Sequence, residues 1–181
     1  MRIIAGEMRG RKLKTVSGMD TRPTADKVKG AIFNVLMEKV NGAKVLDLFA
    51  GTGNLAIEAI SRGAREAILV EKTFSAQKVI QENLTFAVKA QAKLFSMDAF
   101  DFLKLYPEEK YDLIFLDPPY RQELVSKALK LLSQPCRLNE LGVIIAETAS
   151  DEELRVCEPF EIRKISEYGD TKVWYIQRCV E

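Results

Sequence analysis

Five short apolar runs, most of them followed by a stretch with helical spacing, dominate the middle of this chain. Residues 44–49 (KVLDLF), 67–71 (AILVE), 92–96 (AKLFS), 111–116 (YDLIFL) and 142–147 (GVIIAE) read as strands. Segments 54–61, 74–87, 99–105 and 123–133 read as helices between them. In 74–87 the apolar or small residues Ala76, Val79, Ile80, Leu84 and Ala87 recur at helical spacing and give one face for a sheet. Strands apolar on both faces are buried on both, and strand–helix–strand connections lay parallel strands side by side. The predicted fold is therefore α/β, a doubly wound and mostly parallel sheet with helices on its faces. Residues 161–177 (EIRKISEYGDTKVWYIQ) break the alternation. Two strand-like runs joined by YGDT predict an antiparallel hairpin that closes a seven-stranded sheet.

Ahead of this core, 3–5 and 13–16 are expected to pair as a hairpin around GEMRG. A helix over 25–40 follows, with Val28, Ile32, Val35, Leu36 and Val40 as its apolar stripe and Thr24 as its N-cap. A chain of 181 residues, 47% hydrophobic, supports one well-cored unit and is short for two. Residues 1–181 are read as a single domain, 1–42 being a basic hairpin-and-helix extension and 43–181 the core.

Composition removes several chemistries. There is no histidine, so neither a Ser-His-Asp nor a Cys-His arrangement is available, and the common histidine metal sites are excluded. Cys136, Cys157 and Cys179 are odd in number and contain no CxxC pair, which suggests reduced packing residues and no metal site. No window approaches the roughly 18 apolar residues of a membrane helix, and the start is basic where a signal peptide is apolar, so a cytoplasmic protein is expected. The net charge of +1 hides an asymmetry: residues 1–29 carry eight Lys and Arg against three acids, and the remainder is mildly acidic. A basic arm on an acidic body suits contact with a phosphate backbone, for which Arg9, Arg11, Lys12, Lys14 and Arg22 are the candidates.

The first strand runs into VLDLFAGTGNLA, in which Gly51, Gly53 and Ala56 fit the GxGxxG/A pattern, and Glu71 stands twenty residues after Gly51 at the end of the next strand. Such glycines let a backbone approach a ligand, and such an acid takes ribose hydroxyls. The pattern fits a dinucleotide, whose pyrophosphate needs a helix N-terminus, and it also fits S-adenosylmethionine, whose sulfonium and amino group favour a nearby carboxylate. Asp47, four residues before Gly51, suits the second ligand better. Asp98 follows the third strand and Asp117 the fourth, so Asp47, Glu71, Asp98 and Asp117 mark four consecutive strand ends on one rim. Asp98, just ahead of a helix, also suits a cap. Asp117 opens the run Asp117-Pro118-Pro119-Tyr120, where two prolines hold the exit extended and cannot donate backbone hydrogen bonds.

RIIAGEMRGRKLK, TRPTADKVKGAIFNVL, VLDLFAGTGNLAIEAISRGA, FLDPPY and EYGDTKVWYI together resemble the RsmD family of 16S ribosomal RNA guanine-N2 methyltransferases, across nearly the whole chain. The resemblance implies a Rossmann-like class I methyltransferase fold, S-adenosylmethionine as methyl donor, and transfer to the exocyclic amine of one guanine. By position it implies that Asp47, Gly51, Thr52 and Gly53 line the methionine end, that Glu71 binds the ribose, and that Asp98 and Ala99 bind the adenine. Asp117 and the Pro118 carbonyl would then accept the hydrogens of the guanine amine, with Tyr120 stacked on the extruded base. Its partner would be 16S RNA, within the 30S subunit or an assembly intermediate, with no stable protein partner. Related tetrads also serve adenine N6, cytosine N4 and a protein glutamine amide, so the acceptor stays open at this point. Thr52 and Asn54 replace a more usual serine and alanine, and Lys29-Gly30 replace Arg-Glu, changes that bear on helix stability or an RNA contact.

Overall fold

The computed structural model describes residues 1–16, 23–84 and 86–179. Its strands are β1 (Lys44–Asp47), β2 (Glu66–Val70), β3 (Ala92–Phe95), β4 (Tyr111–Leu116), β5 (Leu138–Ala149), β6 (Phe160–Tyr168) and β7 (Thr171–Arg178). They form one sheet in the order β3-β2-β1-β4-β5-β7-β6. Pairing is parallel through β5 and antiparallel where β7 meets β5 and β6. The chain steps outward from β1 to β3, then returns to lay β4 on the other side of β1. Ligands of open α/β sheets bind outside the carboxyl ends of the strands at such a reversal.

The helices are α1 (Pro23–Leu36), α2 (Asn54–Ser61), α3 (Phe74–Asn83), α4 (Phe86–Lys89), α5 (Ala99–Leu105) and α6 (Leu124–Ser133). Because the central strands are apolar on both faces, they build two cores. Val45, Leu113, Phe115, Val143 and Ile145 pack with Ile32 and Phe33 of α1 and Ala56, Ile57 and Ile60 of α2. Leu46, Ile114, Leu116, Ile144 and Ala146 face the other way, onto Phe102 and Leu103 of α5 and Leu129 and Leu132 of α6. Among the described residues no helix is long and apolar enough to cross a membrane.

The structure redraws several boundaries. Instead of one helix over 25–40, α1 begins at Pro23 and gives way at Met37 to a 3-10 turn, Met37–Val40. Met37 has φ 46°, which a continuous α-helix does not tolerate. Val28, Ile32, Leu36 and Val40 are nonetheless buried, with Val35 at the margin. Pro23 suits the first helical position, so Thr24 lies inside the first turn and not ahead of it as a cap. The helix expected over 74–87 ends at Asn83, where Leu84 takes φ −74°, ψ 77°, and α4 is a separate turn.

The N-terminal pairing also differs from the expected one. A single bridge joins Arg2 to Lys12, supported by the Ile3 N–H to the Arg11 carbonyl at 2.9 Å and the Gly10 N–H to the Ile3 carbonyl at 2.8 Å. The next two amides turn inward, Ile4 and Ala5 donating to the Glu58 carboxylate at 2.8 and 3.1 Å. Glu58, in the middle of α2, is fully buried and also receives Arg62 Nε at 2.7 Å and Lys29 Nζ at 3.3 Å. A buried charge demands such donors, and this one draws the backbone of the arm away from a hairpin ladder. Lys29 is accordingly not an RNA contact: it is 2% exposed, with Nζ 2.6 Å from the Arg2 carbonyl and 2.6 Å from Asn54 Oδ1. Burial lowers its pKa, and Glu58 opposes that shift.

Candidate active site

Asp47 is the last residue of β1, and the chain turns through Gly51 and Gly53 before α2 starts at Asn54. Both glycines have positive φ, 54° and 78°. They serve different ends. A Cβ on Gly53 would sit 3.1 Å from Leu69 Cδ2 and 3.3 Å from Ile57 Cδ1, so its absence lets α2 close onto β2. A Cβ on Gly51 would meet nothing within 4 Å, so this residue offers bare backbone to open space.

Asp47 Oδ2 accepts the Ala56 N–H of α2 at 3.3 Å, while Oδ1 is buried with no partner. Burial, reinforced by Asp117 and Glu71 nearby, raises this carboxyl from the usual range to about 7. An orphaned carboxylate oxygen inside a protein marks a place where a donor or a cation belongs.

Glu71 follows β2 and braces the glycine turn, its oxygens accepting the Gly51 N–H at 2.9 Å and the Thr73 N–H at 2.7 Å. An ionised carboxylate has about four acceptor positions, so capacity remains for a further donor. Asp98 caps α5 through the Phe100 N–H at 2.8 Å and lies 3.9 Å from Lys72 Nζ. Ala99, beside it, is buried. The Thr52 hydroxyl is turned toward Met1 Sδ at 3.8 Å, so what Thr52 offers a ligand is its backbone.

At the exit of β4, Asp117 is open to solvent, Pro118 is buried and Tyr120 is half-buried. Protein packed around Asp117 raises its carboxyl to about 6. Water reaches this group and tempers the effect, whereas Asp47, 1% exposed, feels it fully. Among the described residues no side chain donates to Asp117, and no N–H to the Pro118 carbonyl. The Tyr120 hydroxyl lies 3.2 Å from Thr171 Oγ1 at the start of β7, which fixes its ring, and burial raises its pKa to about 12.

Arg121 and Glu123 take φ 60° and 54°, a strained conformation for residues with a Cβ. The strain is held from outside. Glu152 accepts the Arg121 N–H at 3.0 Å and the Ala149 N–H at 2.8 Å, while Asp151 grips the Arg121 guanidinium at 3.0 and 3.2 Å. The exit of β4 is thereby clamped to the end of β5 and to β7.

Glu147 was absent from the sequence-derived set. Leu116 pairs with Ala146, so the following residues, Asp117 and Glu147, stand level on adjacent strands and on the same face. Glu147 is half-buried; burial raises its pKa, and Asp117 and then Asp47 add to the rise. The strand-end rule that selects Asp47, Glu71, Asp98 and Asp117 would have found it one strand further on.

Of the basic residues, Arg9 and Lys12 are exposed and Arg11 is half-buried. Lys14 is exposed but paired with Glu82 at 2.9 Å, and Arg22 lies outside the described residues. The arm adjoins the glycine turn: Asn83 accepts the Lys14 N–H at 2.8 Å and donates to the Lys14 and Thr52 carbonyls, each at 3.0 Å. A hollow lined by Lys39, Arg65, Asp112, Asn139 and Leu141 lies at the amino ends of the strands and contains none of the strand-end acids.

Residues 1–177 match the family model described as Conserved hypothetical protein 95. Over 157 residues the chain is 41% identical to YlbH of Bacillus subtilis (strain 168), described as a presumed rRNA methyltransferase, covering 85% of each. It is 36% identical over 168 residues to the Ribosomal RNA small subunit methyltransferase D of Haemophilus influenzae, covering 91% of this chain and 86% of that one. Among solved structures, yhhF of Escherichia coli, described as a presumed methyltransferase, superposes with a TM-score of 0.86 at 30% identity, covering 98% and 97% of the two chains. A seven-stranded sheet closed by an antiparallel hairpin, a glycine turn after β1 and Asp-Pro-Pro-Tyr after β4 stand where the resemblance required them. The chain belongs to the RsmD family of methyltransferases.

Proposed function

We propose that this protein transfers the methyl group of S-adenosylmethionine to the exocyclic N2 of a guanine in small-subunit ribosomal RNA. The observation that carries the reading is a pair of carboxylates at the ends of the two neighbouring strands β1 and β4, Asp47 with one buried oxygen unpartnered and Asp117 with no donor among the described residues, beside a glycine turn open to a ligand. The buried Asp47 oxygen without a partner suits the cationic methionine end of the donor, which supplies an electrophilic methyl on sulfur. Bare backbone at Gly51 gives that end room, Thr52 and Gly53 complete the turn that lines it, Glu71 takes the ribose, and Asp98 with Ala99 borders the adenine.

A guanine N2 lone pair is delocalised into the ring and attacks poorly until the nitrogen moves toward a tetrahedral shape. Acceptors on its two hydrogens favour that change, and Asp117 with the Pro118 carbonyl supply them. Tyr120, fixed by Thr171, provides a face for the extruded base. Holding both reactants in line supplies much of the remaining barrier reduction. Arg9, Arg11, Lys12, Lys14 and Arg22 are read as phosphate contacts that position the RNA without reading its sequence. So short an arm implies that the folded ribosomal particle presents the base. We read 1–181 as one catalytic unit acting in the cytoplasm, its extension 1–42 serving RNA contact.

Labelled methyl from S-adenosylmethionine should enter unmodified small subunits or their RNA, and nucleoside analysis should identify the product as N2-methylguanosine. Label confined to duplex DNA or to protein, or an N6-methyladenosine product, would overturn the reading.

A further inference from the structure

Asp117 and Glu147 form a two-acceptor rim that stands level across adjacent strands, on the face shared with Asp47. Among the described residues neither carboxylate has a hydrogen-bond or ion-pair partner, and the buried Asp47 Oδ1 behind them has none either. Among the described residues no lysine or arginine pairs with any of the three, and the Asp47 oxygen, being buried, is the one that solvent does not satisfy. A bound base edge carrying N–H groups would supply donors to such a rim. The rim also has a floor and a wall: Pro118 is buried beneath the exit, and the Tyr120 ring is held by Thr171.

Resting on the guanine reading above, we propose that Glu147 is the specificity-determining residue: its carboxylate accepts the guanine N1–H while Asp117 accepts an N2–H. The two hydrogens sit on nitrogens bonded to the same ring carbon and point along one base edge, and carboxylates on adjacent strands, about 4.8 Å apart at the backbone, reach both. Adenine and cytosine also carry an exocyclic amine, which Asp117 would accept equally well. Their neighbouring ring nitrogens, however, carry a lone pair and no hydrogen. Such a base sets lone pair against carboxylate and leaves Glu147 unsatisfied, a penalty that rejects it more strongly than a poor fit would. A glutamine amide has no ring N–H at all. Glu147 thereby distinguishes among acceptors that the Asp-Pro-Pro-Tyr exit alone admits.

The test replaces the target guanine, once mapped, by 2-aminopurine in small-subunit RNA. This base keeps the N2 amine but has a bare N1. The wild-type protein should methylate the analogue with kcat/KM reduced about 10- to 100-fold. In Glu147→Gln the amide can present oxygen or nitrogen, so guanine and 2-aminopurine rates should fall within about threefold of each other, with S-adenosylhomocysteine affinity unchanged and the melting temperature not lowered. A wild-type protein indifferent to the analogue would overturn the proposal without recourse to any variant. So would a Glu147→Gln protein that keeps the full preference. Transfer to neither RNA would remove the guanine reading itself, an outcome distinguishable from both.

Discussion

Asp47 shows how a residue can be costly to the fold and useful to the site. Its buried carboxyl titrates near 7, against an ordinary value of 3.8. Between those values the native state holds a proton that the unfolded chain has released, so stability of the ligand-free protein falls as pH rises from about 4 to about 7. Asp47→Asn removes the titration while keeping an oxygen for the Ala56 N–H. Thermal melts should show the variant more stable than wild type at pH 8, by about 2–4 kcal/mol, and nearly equal to it at pH 4. Parallel pH profiles for the two proteins would mean that Asp47 carries no such burden. The identity of this acid was legible from its place four residues before Gly51. The orphaned oxygen was not, because it depends on which helix amide α2 brings to the other one. Glu147 was legible by the same strand-end rule, yet its meaning comes only from standing level with Asp117.

At the scale of elements, both-face-apolar runs were enough to place the strands, since burial on two sides leaves few alternatives. Element ends were less legible. The left-handed Met37 stops α1 for reasons of local geometry that apolar spacing does not encode. The N-terminal pairing gave way because Glu58, which apolar spacing does not single out within the helix at 54–61, is a buried anchor for Ile4, Ala5, Lys29 and Arg62. Two departures from the family pattern, Lys29 and Asn54, turn out to be bonded to each other in the same cluster. Glu58→Ala should strip the buried Lys29 of its nearer anionic partner, leaving only Asp26 at 4.0 Å among the described residues, and cost about 3–5 kcal/mol in urea unfolding. It should also speed hydrogen exchange at the Ile4 and Ala5 amides. Unchanged exchange at those two positions would show that the arm is held by other means.

Across the whole molecule, one rim gathers the work of several elements. β1 delivers Asp47, β4 delivers Asp117, β5 adds Glu147, and β7 steadies Tyr120 through Thr171. The clamp on Arg121 by Glu152 and Asp151 was beyond sequence reasoning, because it joins residues thirty positions apart in strained backbone that no motif announces. The basic arm is joined to the same region through Asn83, so the surface read as meeting RNA and the turn read as meeting the donor are one piece of structure.

The central claim is a division of labour: Asp47 serves the methyl donor and Asp117 serves the base. Calorimetric titration with S-adenosylhomocysteine, paired with labelled methyl transfer to small subunits, tests it directly on Asp117→Ala and Asp47→Ala. Asp117→Ala should bind the ligand within about threefold of wild type while losing transfer by about a hundredfold or more, and Asp47→Ala should lose binding. Comparable loss of ligand binding in Asp117→Ala, or transfer at the wild-type rate without that carboxylate, would contradict the account.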